Sequence, residues 1–380
     1  MELVISGLGC VTPVGVNPSE LFENSSKKQS FFSSIMLDGY TQKEILVGKL
    51  TSQQRDKIMR QSTQLGLKDK HSWNTHLGIY SAIQALQDAE INAGMRMGLV
   101  VANNDGNSDL LEQSLNTNLL APNYCGTSLL KSIRTVTESS GFSTLIYNTC
   151  ASFNAALEIA VNLIKQNIHD TVLVGGTDLL AKKVLYGFDT LKALSHQPCK
   201  PFCRDRGPIT ISEGSAFIVL QKAAIARKRY CSIAGISRNC DADHPTTPNK
   251  ESILTCHKMA LKKAQLDAQD INVLFAHGTG TVANDSIEAA IVNELSYTAV
   301  ICAPKTILGH NMAACGAVAT ILIALTFKNN RVPATSLYSD SHEFDLNYVG
   351  DTNAHFPKID FIQSNSFGFG GNNAIAIFGT

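Results

Sequence analysis

Short apolar runs bounded by glycine or polar residues alternate along this chain with longer stretches whose apolar positions recur at helical spacing. The runs Leu3–Ser6, Gly98–Ala102, Thr144–Tyr147, Thr171–Val174 and Ala216–Leu220 predict strands. A second set follows at Ser232–Ile236, Val273–Ala276, Val300–Ala303 and Ala374–Phe378. Between them the pattern predicts helices over Thr75–Glu90, Ser152–Gln166, Lys250–Ala268, Asp285–Leu295 and Ala313–Phe327. This alternation predicts an α/β fold with mostly parallel central strands. Two sets of similar size predict an internal duplication, residues 1–225 and 226–380, joined near Gln221–Arg229.

The helix after Ser152 is apolar nearly all round, which predicts burial on several sides. The apolar stretch Met312–Phe327 falls short of the roughly 20 residues a bilayer needs and carries glycine and threonine, so it reads as a buried helix rather than a membrane span. Over 380 residues, 44% are apolar and 17% charged, enough for a large core. Lys plus Arg and Asp plus Glu both number 32. That balance argues against nucleic acid or an anionic membrane as the main partner. The opening MELVISGLGC has no basic region before its apolar run, and the ten cysteines show no paired spacing. A cytoplasmic protein with reduced thiols is the expectation. Cys199 and Cys203 flank a short KPF without a second pair nearby, so no metal site is expected.

Chemistry enters with IYNTCASFNAALEIA, residues 146–160. It puts Cys150 between a strand and the start of a buried helix, where free N–H groups and the helix dipole favour a thiolate and lower a thiol pKa. A buried cysteine is often only a small hydrophobe, so the thiol needs companions before it counts as a nucleophile. Two loops supply them. FAHGTGT places His277 after a strand, followed by Thr279 and Thr281, and APKTILGH places Lys305 and His310 after another. A third, NSFGFGGNN, sets three glycines around Phe369 at a spacing that fits neither GxGxxG nor a P-loop. Strand-end loops are where α/β sheets gather their sites.

In order, GLGCVTPVG, NTCASFNA, VGGTD, GFDTLKALS, PFCRDR with EGSAFIVL, HGTGT with ND, KTILGH and SNSFGFGGNN run through the whole chain. Together they resemble the β-ketoacyl-[acyl carrier protein] synthases of the elongating Cys-His-His type, on the thiolase fold, a duplicated αβαβα layered sandwich. The resemblance implies that Cys150 carries the growing acyl chain as a thioester. It implies that His277 and His310 bind the extender thioester and stabilise the enolate left when malonyl loses carbon dioxide. It further implies an oxyanion hole from the N–H groups of Cys150 and Phe369, a gate at Phe369, an active-site lysine at Lys305, and a pantetheine tunnel lined by Thr246, Thr247, Thr279 and Thr281. No free cofactor is implied, because substrates ride on the phosphopantetheine of an acyl carrier protein. The implied partners are that carrier and a second subunit, either another copy or a chain-length-factor-like paralogue, with the strand before Cys150 at the interface.

Two positions depart from the pattern. Ala319 stands where a glutamate usually follows the second histidine, so Lys305 must find another partner, shift its pKa or work unpaired. Gly207 stands where an aspartate is usual. These departures point away from ordinary fatty-acid elongation and towards a specialised type II system, such as polyene or polyketide synthesis. The alternatives are a chain-length-factor-like subunit of little activity, which would ordinarily lack Cys150, and a thiolase, which would carry a second cysteine in the C-terminal glycine loop where this chain has FGFGG.

Overall fold

The computed structural model describes residues 1–27, 29–37, 43–67, 71–92, 94–115, 123–334, 341–350 and 352–380. Ten strands form one hydrogen-bonded sheet: β1 (Leu3–Val11), β2 (Gly98–Ala102), β3 (Ser143–Ile146), β4 (Thr171–Asp178), β5 (Gly214–Lys222), β6 (Cys231–Cys240), β7 (Val273–Phe275), β8 (Val300–Cys302), β9 (Phe361–Gly368) and β10 (Asn372–Gly379). Their spatial order is β8-β7-β9-β10-β6-β1-β5-β4-β2-β3. Numbered within its own set of five, each set runs third, second, fourth, fifth, first. The sets meet where β1 and β6 pair antiparallel through only two residue pairs, Val4 with Ser232 and Ile5 with Cys231.

The expectation of parallel central strands is overturned. Parallel pairing is confined to the flanks, β2 with β3 and β4, and β7 with β8 and β9. Every pair from β9 through the centre to β4 is antiparallel. Both kinds of strand are covered on both faces, so both read as continuous apolar runs, and hydropathy alone cannot give strand direction.

The alternation of side chains explains the layering. Val100 and Ala102 of β2, Val172 and Val174 of β4, and Ala376 and Phe378 of β10 point into one central cluster. The intervening Leu99, Val101 and Leu173 face an outer cluster with helix α1 (Trp73–Asp88). Ile375 and Ile377 face a second outer cluster with α3 (Lys250–Ala264) and α4 (Val282–Glu294). The central cluster is filled by α2 (Ser152–Lys165) and α5 (Cys315–Asn329), which contact each other and strands of both sets. Helix, sheet, paired helices, sheet and helix make the five thiolase-like layers. The window Met312–Asn329 is long and apolar enough to cross a bilayer, yet 83% of it is buried inside the fold. At the sheet edge, β3 is half-buried along its length, and Phe142 and Tyr147 beside it are 48% and 56% exposed.

Candidate active site

Four loops leave the C-terminal ends of β3, β7, β8 and β9 and converge. After β3 the chain enters a 3-10 turn, Thr149–Ala151, with Thr149 at φ +52°, and then α2. That left-handed residue turns Cys150 out of the strand line. Asn104 holds the turn: its amide N–H donates to the Thr149 carbonyl at 3.1 Å, and its oxygen accepts from the Ser152 hydroxyl at 3.1 Å. The Thr149 hydroxyl donates to the Phe369 carbonyl at 3.1 Å. Gly368 lies against this turn so closely that a Cβ would collide with the Thr149 hydroxyl. The approach aims the Phe369 N–H at the Cys150 sulfur.

His277 follows β7 and is 3% exposed. Its N–H and that of Gly278 donate to the two carboxylate oxygens of Glu288 at 2.8 and 2.9 Å. His310 follows the short helix Lys305–Leu308 and Gly309, whose φ of +66° turns the chain back into the core. The His310 N–H donates to the Thr210 carbonyl at 2.7 Å. The two rings stand edge to face, with centroids 5.7 Å apart. The Cys150 sulfur and one nitrogen of each histidine all lie within 4.8 Å of one another.

Both imidazoles are tuned the same way. His310 Nδ1 accepts the Met312 N–H at 2.9 Å, and His277 Nδ1 lies 3.3 Å from the Lys305 ammonium, which has no acceptor lone pair. Each Nδ1 is therefore an acceptor, and each Nε2 carries the proton. Burial, then Lys305, holds both pKa values well below the ordinary histidine range, so the rings are neutral donors.

Cys150 corrects an expectation. Burial, followed by the neighbouring Cys315 thiol, pushes its pKa up to about 12, while Lys305 and the Phe369 N–H pull the other way. The helix start does not outweigh this, because a charge excluded from water loses more than a turn of free N–H groups returns. The resting nucleophile is a thiol.

Lys305, 6% exposed, has found a partner other than a carboxylate at 319: it donates to the His277 carbonyl and Nδ1. Thr246, Thr247, Thr279 and Thr281 line one cavity of about 70 Å³ with His277, Gly368 and Phe369. The Phe369 ring packs against that of Phe188 in GFDTLKALS, tilted by 31° with centroids 5.8 Å apart. All nine predicted positions are thus brought to one place. Cys199 donates to the Thr279 carbonyl at 2.9 Å, so it serves as a buried structural thiol.

One cysteine and two histidines could in principle hold a soft metal ion. The tautomers disfavour it. A metal needs the Nε2 lone pairs, and moving either proton to Nδ1 would set it against the Met312 N–H or the Lys305 ammonium. The arrangement suits a different task, the stabilisation of a negatively charged oxygen beside a thioester.

Comparison with known proteins decides the family. Residues 1–226 match the profile described as beta-ketoacyl synthase, N-terminal domain, and residues 230–338 the corresponding C-terminal domain. The chain belongs to the β-ketoacyl synthase family. It is 26% identical to the 3-oxoacyl-[acyl-carrier-protein] synthase 2 of Coxiella burnetii, over 99% of this chain and 98% of that protein. It is also 26% identical to the tetracenomycin polyketide synthase ketoacyl synthase alpha subunit of Streptomyces glaucescens, over 80% of each chain. Among solved structures, the ishigamide ketosynthase/chain length factor superposes with a TM-score of 0.87 at 25% identity, covering 100% of this chain and 99% of that one.

Three groups of this ketosynthase carry no assignment from sequence. Glu288 binds the His277 loop. Asp178, the last residue of VGGTD, accepts the Ala313 N–H at 2.9 Å and the Asn104 N–H at 3.1 Å. Cys315 lies 3.3 Å from His310 Nδ1. Asp178 stands inside a recognisable motif and Glu288 three residues past ND, which was the available signal. Cys315 had none.

Proposed function

We propose that this chain catalyses the decarboxylative Claisen condensation of an acyl chain on Cys150 with malonyl-[acyl carrier protein], giving β-ketoacyl-[acyl carrier protein] in fatty-acid, polyene or type II polyketide synthesis. The observation that carries the reading is the gathering of the Cys150 sulfur and one nitrogen of each of His277 and His310 within 4.8 Å of one another, with the Phe369 N–H on the same sulfur. The reaction begins when Cys150 attacks the acyl thioester of the carrier. The thiol proton ends on the departing pantetheine sulfur, and the carbonyl oxygen is held by the N–H groups of Cys150 and Phe369. Malonyl then enters along the threonine-lined cavity. His277 and His310 donate to its thioester oxygen as carbon dioxide leaves, and the resulting carbanion attacks the thioester carbonyl on Cys150; the acyl C–S bond breaks, and the expelled Cys150 thiolate takes a proton from water to return to the thiol. Neutral imidazoles suit this step, since they stabilise the enolate oxygen without protonating its carbon. Loss of carbon dioxide drives the reaction, so no redox or metal step enters the balance.

Residues 1–225 form the half that supplies the nucleophile, and 226–380 the half that supplies both histidines and the glycine loop. The edge strand β3, with Phe142 and Tyr147 exposed beside it, is the surface that pairs with a second copy or a chain-length-factor-like paralogue in the cytoplasm. The test is incubation of the protein, alone and with candidate partner subunits, with acyl- and malonyl-carrier proteins. The expected result is an acyl adduct on Cys150 and a β-ketoacyl product. No adduct under any pairing would overturn the enzyme reading and favour the chain-length-factor-like alternative.

A further inference from the structure

Beside Lys305 lies a small cavity of about 20 Å³, lined by Lys305, Cys315, Ala319, Ser364, Asn365 and Ser366 among others. Its size suits one small occupant. An ammonium has three donors, and Lys305 directs two towards the carbonyl and Nδ1 of His277. Among the described residues no carboxylate forms an ion pair with it. The nearby Glu288 already uses its oxygens on the N–H groups of His277 and Gly278 and the amide of Asn365. A buried charge without a contacting counter-charge is unfavourable, and the third Lys305 donor lacks an acceptor.

Two further donors belong to the same wall. The Ser364 hydroxyl, in a residue 1% exposed, has no partner among the described residues. The Ser366 hydroxyl accepts from the Asn154 amide at 3.3 Å, which leaves its own proton to give. The rest of the lining is apolar, as at Phe275, Pro304, Leu308 and the Ala319 methyl, or engaged elsewhere: the Asn365 amide on Glu288, the Asn311 amide on the Glu213 carbonyl and the Cys315 thiol at His310 Nδ1.

We infer that this cavity is an anion site, taking a monovalent anion of halide size between the Lys305 ammonium and the hydroxyls of Ser364 and Ser366. The anion acts as the counter-ion that a carboxylate at 319 would otherwise provide. It holds Lys305 against His277 Nδ1 and so keeps the proton on His277 Nε2, facing the substrate. Lys305 is in this sense a positioning residue acting through His277.

The test uses the full-length protein. Crystals grown in sodium gluconate, whose anion is too large for the cavity, are soaked in sodium bromide and measured at the bromine edge. One buried anomalous peak beside Lys305 is expected, absent from Ala319→Glu, whose carboxylate fills the same space. In solution, replacing gluconate by chloride at constant ionic strength should raise wild-type condensation severalfold to saturation and leave Ala319→Glu unresponsive. If Ala319→Glu fails to fold, Ser364→Ala serves instead, with lower bromide occupancy and a higher chloride requirement. No bromide in the wild-type cavity, or bromide that persists in Ala319→Glu, would overturn the site. A chloride-independent wild-type rate would overturn its role. The rate measurement rests on the condensation reading, whereas the anomalous peak does not, so the two failures are distinguishable.

Discussion

Two helix starts, one in each half, are built alike and put to different use. In the first, Thr149 at φ +52° opens a 3-10 turn that leads into α2; in the second, Met312 at φ +51° opens a 3-10 turn that leads into α5. Both helices fill the central layer, and both turns follow the third strand of their set. Cys150 and Ala313 occupy the same place in the two turns. The first turn is aimed at the imidazoles. The N–H of the second is taken by Asp178 of the opposite half, so the second turn has become a support. Duplication provided two equivalent corners, and the chemistry needed one nucleophile. The lesson is that a site at a pseudo-symmetric seam divides its labour: one half carries the reacting sulfur, and the other carries donors and scaffolding.

The largest expected effect comes from removing the thiol. Cys150→Gln should abolish condensation, a loss of about 10⁴-fold or more, while malonyl decarboxylation at the two histidines survives. Equal loss of both activities, measured by product mass and by carbon dioxide release, would break the division of roles. Moving the thiol to the other corner, as Cys150→Ala with Ala313→Cys, should restore nothing. Recovered condensation would mean that the two turns are interchangeable.

Next come the donors. His277→Ala and His310→Ala should each lower decarboxylation by roughly 10²–10³-fold, the usual cost of one donor aimed at a developing oxyanion. Acyl transfer to Cys150, read by mass spectrometry, should fall much less, because the proposed mechanism gives its oxyanion to backbone N–H groups rather than to the imidazoles.

Asp178 tests the bridge between the corners. One carboxylate binds the Ala313 N–H, the Asn103 amide and the N–H of Asn104, whose side chain clamps the Cys150 turn. Burial raises its pKa to about 7, and Asp285, which accepts from Phe202 and Gly280, is raised to about 7 as well. Protonation removes an acceptor from a cluster of N–H donors, so condensation should fall as the pH drops below about 7, with two protons involved. Asp178→Asn should cost up to about 10²-fold in kcat through misplacement, and should reduce the acid limb to one proton. An unchanged two-proton limb would assign the titration elsewhere.

The smallest effect is a slope. With its thiol at about 12, Cys150 should react with iodoacetamide about tenfold faster for each pH unit between 6 and 9, because the thiolate fraction grows with pH. A plateau near neutrality would restore the thiolate expected from the helix start. Exposed Cys125, lowered to about 7 by Thr127 and Ser128, plateaus in that range and gives the internal contrast.

Much of this was legible from residues alone. The central helices, the strand-end histidines and the glycine loop stand out because burial forces apolar periodicity and tight loops force glycine. Strand direction was not legible, since strands covered on both faces look alike in either orientation. β9 also went unseen. Its run FIQSNSFG mixes polar residues into a buried strand, because Gln363, Asn365 and Ser366 take hydrogen-bond partners that exist only after folding.

By itself the sequence determined the family, the thiol, the two imidazoles and the absence of a carboxylate at 319, all of which are properties of residue identity and order. Only the tertiary structure decided their states. It made Cys150 a thiol and both histidines Nε2–H donors, and it committed Lys305 to His277. Protonation depends on what is desolvated and what faces it, and folding supplies those neighbours: Lys305, Cys315 and Phe369 come to Cys150 from more than a hundred residues away, and Lys305 comes to His277 from the next strand-end loop.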